Sequence, residues 1–135
     1  MSSQPKPKAG DILTKEVQIT SELIERFSEI SEDKNPIHLD DKFASKTVFK
    51  KRIAHGLLSV SYISALLTQL LGNGNVILNL AFSIKAPTYV DDMIQMQLEV
   101  AKVNPNRSID LTFQIINKGS DLLLIKGTVL CLKVY

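Results

Sequence analysis

From Gly56 to Leu71 the chain is apolar on most sides of a helix: Leu57, Leu58, Val60, Ile63, Ala65, Leu66, Leu67, Leu70 and Leu71 leave little polar face. A helix of that kind has to be covered by other structure. Gly72, Asn73 and Gly74 follow it, and glycine ends a helix without steric cost. Everything after that stop reads as strand. Val76, Leu78, Leu80, Phe82 and Ile84 alternate up to Pro87, and Ile94, Met96, Leu98 and Val100 alternate with Gln95, Gln97 and Glu99. Ile109, Leu111, Phe113 and Ile115 form the next run, and Leu122 to Val134 the last. Asn104-Pro105-Asn106 and Lys118-Gly119-Ser120-Asp121 are turns. Four short-linked strands with one apolar face are expected to pair as a meander. The only segment apolar enough to cover that face is the helix, so a curved antiparallel α+β sheet wrapped round it is predicted. Such a sheet leaves edges to protect, and a homodimer joining two sheets edge to edge is the simplest solution.

The first third is organised differently. Ile12 to Ile19 is a short strand candidate. Thr20 or Ser21 can cap a helix whose apolar face is Leu23, Ile24, Phe27 and Ile30, and Pro36 requires it to stop near Ser31. Asp33 to Leu39 reads as a polar loop, and Asp40 to Ser45 as a short helix. Thr47 to Arg52 is a basic connector beside Lys46, with Lys50 and Lys51 inside it. It is either a solvated surface run or a contact for a phosphate-bearing substrate handle.

Size and composition narrow the function classes. A chain of 135 residues is one domain by default, here 11–135 after a disordered polar tail at 1–10. The net charge of +2 does not favour nucleic-acid binding. The start lacks the apolar core of a signal peptide, and Leu57 to Leu71 is too short and too polar to span a bilayer, so no membrane association is expected. The single cysteine, Cys131, sits in an apolar strand and reads as a buried small hydrophobe. One cysteine makes no internal disulfide, which fits a reducing, cytoplasmic setting.

Chemistry has few places to sit. With two histidines, His38 and His55, and no cysteine pair or His-x-x-x-His, no metal site is expected. Nucleotide-binding glycine loops and a Gly-x-Ser-x-Gly elbow are absent. There remains Asp33-Lys34-Asn35-Pro36-Ile37-His38, a carboxylate and an imidazole five residues apart on a stiffened loop. If the loop folds back, both reach one water, and histidine is suited as a base near pH 7. The same residues are also ordinary turn formers. The second feature is Ile53-Ala54-His55-Gly56-Leu57 at the head of the apolar helix. Free N–H groups there could hold a carbonyl oxygen gaining negative charge, and glycine lets a ligand approach. A packing glycine and a satisfied structural His55 are the alternatives.

Together, Ser31-Glu-Asp33-Lys-Asn35-Pro36-Ile-His38-Leu-Asp40 and Ile53-Ala-His55-Gly56-Leu resemble the hydratase motif of the MaoC-like, R-specific enoyl-CoA hydratases. The resemblance continues through the serine-rich helix to Phe82-Ser-Ile-Lys85-Ala-Pro87 and Val90-Asp-Asp92. It implies the hot-dog fold and a homodimer. It also implies reversible hydration of a trans-2-enoyl-CoA to the (R)-3-hydroxyacyl-CoA, with no cofactor beyond the coenzyme A thioester that is the substrate. By that resemblance Asp33 and His38 are the catalytic pair, Gly56 is the amide donor to the thioester carbonyl, and Asn35 supports the loop. Ser64, with Ser61, lines the substrate pocket, and Leu57 is expected beside the acyl tail. The run Lys50-Lys51-Arg52 is more basic than the family pattern, which leaves open whether coenzyme A or acyl carrier protein bears the substrate. A 3-hydroxyacyl-carrier-protein dehydratase, a thioesterase and a non-catalytic acyl-thioester-binding module are the alternatives.

Overall fold

The computed structural model describes residues 6–134. Its elements run β1 (Ile12–Gln18), α1 (Ser21–Ser31), α2 (Pro36–Leu39), α3 (Asp41–Ser45), α4 (Gly56–Leu71), β2 (Asn75–Ile84), β3 (Met93–Val103), β4 (Ser108–Asn117) and β5 (Leu123–Lys133). The five strands form one sheet in the order β1-β3-β4-β5-β2, with every neighbouring pair antiparallel.

The strand pattern explains which face is covered. Ile94, Met96, Leu98 and Val100 on β3, Ile109, Leu111, Phe113 and Ile115 on β4, and Ile125, Val129 and Cys131 on β5 are all buried in the core. They meet Leu58, Val60, Ile63, Leu66, Leu67 and Leu71 of α4, so the predicted helix lies against the predicted sheet face. Cys131 is fully buried, and burial pushes its thiol up to about 11, which suits a packing residue and not a nucleophile.

Three expectations are corrected. Strands β3, β4 and β5 form a meander, but β2 does not continue it: β2 pairs with β5 at the far edge. The connection from Lys85 to Asp92 is long enough to cross the sheet. On its way it docks on the 52–54 segment, through Ala54 N–H to Thr88 O at 2.7 Å and Val90 N–H to Arg52 O at 3.2 Å. The period-two pattern of β2 is broken by a register shift between Ile77 and Asn79, so Val76 pairs with Leu132, away from the core, while Leu80 and Phe82 pair with Val129 and Gly127. The polar segment before Leu39 is not all loop, because Pro36–Leu39 closes one helical turn, with Pro36 at a first-turn position where its missing N–H costs nothing.

Local capping follows the sequence. Thr20 Oγ1 accepts from Leu23 N–H at 3.2 Å, and α1 ends at Ser31 with Glu32 in the left-handed region. Of the expected tail, residues 1–5 lie outside the described residues. Gly10 is held to the sheet by its N–H on Val100 O at 2.8 Å, and Lys8 N–H donates to Asp11 Oδ2. The helix α4 is not covered all round: Leu57 is 59% exposed, and Ser61, Ser64 and Ala65 are exposed with it. No helix among the described residues is long and apolar enough to cross a membrane.

Candidate active site

The segment after α1 is shaped by successive side-chain caps. Ser31 Oγ accepts from Asp33 N–H (3.2 Å), Asp33 Oδ1 from Asn35 N–H (3.1 Å), and Asn35 Oδ1 from Ile37 N–H (3.2 Å). Asn35 is thus the N-cap of α2, and His38 falls within that single turn. The turn chemistry of Asp33 and Asn35 and their place in a site are compatible, because Asp33 spends one carboxylate oxygen on the turn.

His38 is fixed at both ends. Its Nδ1 lies 2.7 Å from the Ile53 carbonyl oxygen. A carbonyl only accepts, so Nδ1 carries the hydrogen and Nε2 keeps its lone pair. The His38 carbonyl in turn accepts from Arg52 Nη1 at 3.4 Å. Arg52 also donates to Asp41 Oδ1 (2.8 Å) and to Ser21 Oγ (3.1 Å), tying α1, α2 and α3 together. The basic connector therefore divides. Arg52 is an internal clamp with a side chain only 12% exposed, while Lys46, Lys50 and Lys51 face solvent. Lys51 Nζ lies 5.0 Å from the centre of the Tyr89 ring.

The Asp33 carboxylate, the His38 imidazole and the His55 imidazole come within 4.8 Å of one another. The His38 and His55 rings are stacked, 3.8 Å between centres and 27° apart, with Phe27 edge-on to His55 at 4.9 Å. The proximity alone would permit a metal. However, ring planes this nearly parallel do not bring their in-plane lone pairs to one point at the roughly 2 Å reach of a metal–nitrogen bond. The arrangement serves proton transfer better than coordination.

His55 precedes α4, and Gly56 opens it. His55 offers no side-chain cap, and the first intrahelical bond from this end is Leu58 N–H to His55 O at 3.1 Å, so among the described residues the Gly56 N–H has no backbone acceptor. A β-carbon at Gly56 would press on the end of the Ile84 side chain. Gly56 and Ile53 line a cavity of about 290 Å³ with Phe49, Ile84, Pro87 and Thr88. A larger concavity of about 580 Å³ lies over Gln97, Glu99, Thr112, Gln114 and Lys126, and touches none of the candidate catalytic residues.

The structure brings Asp33, His38 and His55 together; Asn35 caps the turn that carries His38, and Gly56 follows His55 onto the cavity, which Asp33, Asn35 and His38 do not line. It does not bring Leu57, Ser61 or Ser64 to the cavity: they lie on the exposed face of α4, and Ser61 Oγ bonds to Leu58 O at 2.6 Å. Three participants carried no readable signal: the Ile53 carbonyl, the Arg52 clamp, and Ser28, which is buried with its Oγ 3.2 Å from His55 Nε2. Their sequence neighbourhoods are ordinary, and only the fold makes them adjacent.

His55 is held below its usual value of 6.5, chiefly by burial, with the neighbouring His38 acting in the same direction. The Asp33 carbonyl bond and the Asp33 charge oppose this less strongly. The unfolded chain therefore binds this proton at a pH where the folded chain does not. Stability from His55 is complete above about 6.5 and declines as pH falls through the folded value. The chain has two histidines, so an NMR titration should show one imidazole with its midpoint below 6.5, and denaturant midpoints should fall between about pH 7 and pH 5. Ordinary titration of both rings would contradict the burial argument.

Residues 3–118 match the family model described as MaoC like domain. Over 98 residues the chain is 43% identical to 3-hydroxybutyryl-CoA dehydratase of Methylorubrum extorquens, covering 72% of this chain and 61% of that protein. The chain thus spans less than two thirds of that relative's length. It is 40% identical over 98 residues to an (R)-specific enoyl-CoA hydratase of Aeromonas caviae, covering 71% of this chain and 73% of that one. Its fold superposes on the solved structure of an (R)-hydratase from A. caviae involved in PHA biosynthesis with a TM-score of 0.88 at 31% identity, over 93% of this chain and 96% of that one. The sheet wrapped on α4 is the hot-dog fold, and the chain belongs to the MaoC-like domain family.

Proposed function

We propose that the chain catalyses reversible hydration of a trans-2-enoyl-CoA to the (R)-3-hydroxyacyl-CoA. The observation that carries this reading is the tautomer of His38: with Nδ1–H held on Ile53 O, Nε2 is free to take a proton beside the Asp33 carboxylate. The named activities of the relatives supply the reaction class.

The thioester carbonyl withdraws electrons from the double bond, so C3 is electrophilic and negative charge grows on the carbonyl oxygen. The Gly56 N–H and the positive end of α4 stabilise that oxygen. A water held by Asp33 and His38 gives a proton to His38 Nε2 while its oxygen bonds to C3. A proton then returns to C2 on the same face through Asp33. Water is consumed and no group leaves, so the balance needs no cofactor. The 290 Å³ cavity beside Gly56 receives the thioester end.

The active assembly is a homodimer through the β2 edge. Val76, Leu78 and Ile84 are 47%, 54% and 56% exposed on that edge, and Leu57 of α4 is 59% exposed. A long apolar edge strand left in water is an invitation to pair. Covering this side would also enclose Ser61 and Ser64, giving them the substrate-lining role they lack on the bare helix.

Asp33→Asn and His38→Ala should each lower kcat on crotonyl-CoA by about 10²-fold or more with the fold intact. Wild-type hydration by either variant would remove the assignment, and rates on coenzyme A and carrier-protein thioesters identify the handle. Gly56→Pro removes the amide donor at a first-turn position that tolerates proline, while adding a β-carbon against Ile84, and should cost about 10²–10³ in kcat. Gly56→Ala, with the same β-carbon but an intact N–H, is its control, and equal losses in the two would point to packing at Ile84 instead. Sedimentation at micromolar concentration should give a dimer, and a stable monomer would overturn the edge-to-edge assembly.

A further inference from the structure

His55 has more structure around it than its place in the reaction explains. It is 4% exposed, and its Nδ1 has no hydrogen-bond partner among the described residues. A buried acceptor left unpaired is costly, and a hydrocarbon ring would fill the same space without that cost. The opposite nitrogen is engaged: Nε2 lies 3.2 Å from Asp33 O and 3.2 Å from Ser28 Oγ. Because a carbonyl only accepts, Nε2 carries the hydrogen.

That bond differs in kind from the others Asp33 makes. Ser31 Oγ on Asp33 N–H and Asp33 Oδ1 on Asn35 N–H each span two residues; they shape the loop without fixing where it stands. The His55 bond spans 22 residues and is the one hydrogen bond, among the described residues, that ties Asp33 to an element outside its own loop. The Asp33 side chain is exposed, and its Oδ1 accepts from Asn35 N–H inside the turn that carries His38, while the His55 bond is what fixes the Asp33 backbone against the head of α4.

We propose that His55 is a positioning residue: its Nε2–H holds the Asp33 backbone, so that carboxylate and imidazole reach one water together. The inference rests on the hydration reading for its catalytic consequence. His55 touches neither the water nor the carbonyl in this scheme. It acts through Asp33, and a misplacement of about 1 Å at a reacting group costs about 10²-fold in rate. Burial supports the role, because a protonated ring here would sit against His38 as the latter takes its own proton.

Two substitutions separate the hydrogen bond from the ring. His55→Gln keeps an N–H close to the Nε2 position and loses the aromatic face, while His55→Phe keeps the ring and loses the donor. The expected result is that His55→Phe lowers kcat by about 10²-fold with KM within about twofold, whereas His55→Gln recovers most of that loss. A folded His55→Phe enzyme with wild-type kcat, or one more active than His55→Gln, overturns the proposal in favour of packing. A measurement on the unaltered protein guards against variants that fail to fold: nitrogen-15 NMR should show His55 as the Nε2–H tautomer. The Nδ1–H tautomer, which cannot donate to Asp33 O, overturns the proposal outright. Wild-type turnover of crotonyl-CoA tests the hydration reading separately, since the tautomer does not depend on it.

Discussion

The 2.7 Å contact between His38 Nδ1 and the Ile53 carbonyl is the joint on which the site turns. Ile53 lies in an extended segment bonded on both sides. Its N–H reaches Ile37 O at 3.3 Å, and Ala54 N–H reaches Thr88 O at 2.7 Å. On one side is the short turn that carries His38, and on the other the crossover between β2 and β3. The same segment runs directly into His55 and Gly56 at the head of α4. One stretch of backbone therefore sets the tautomer of His38, the approach to the helix terminus and part of the cavity wall. Arg52 reinforces it from the side, with Asp41, Ser21 and the His38 carbonyl as partners.

The parts of the fold that periodicity dictates were legible in the sequence. The apolar run from Gly56 to Leu71 gives a helix with those bounds, and β3 and β4 bury every residue their alternation assigns to the core. Pairing order was not legible, because alternation says which face is buried but not which neighbour a strand takes. Thus β2 crosses to β5, and the shift at Leu78 moves Val76 off the core face. The nearly all-round apolarity of α4 was right about residue type and incomplete about burial, since Leu57 remains exposed.

For the site, Asp33 and His38 were readable as a pair because they share one short loop, and Gly56 because it stands at a helix start. Ser28 and the Ile53 carbonyl were not, since one is an ordinary helical serine and the other a backbone atom. His55 was readable as a structural histidine, and it is buried as that reading requires. It is not fully satisfied, however: Nδ1 lacks a partner among the described residues, a property of three-dimensional surroundings that no spacing encodes.

Two imidazoles 3.8 Å apart thus take opposite parts, and their surroundings decide which. For His38 the carbonyl of Ile53 occupies Nδ1, which leaves Nε2 able to accept beside a carboxylate. For His55 the bonded atom is Nε2, and burial disfavours a second proton. Were both rings basic, protonating one would repel the proton from the other. Keeping His55 neutral removes that competition while retaining its N–H for Asp33. The same logic, environments pushing apart two chemically identical groups, assigns acid and base roles at other enzyme sites.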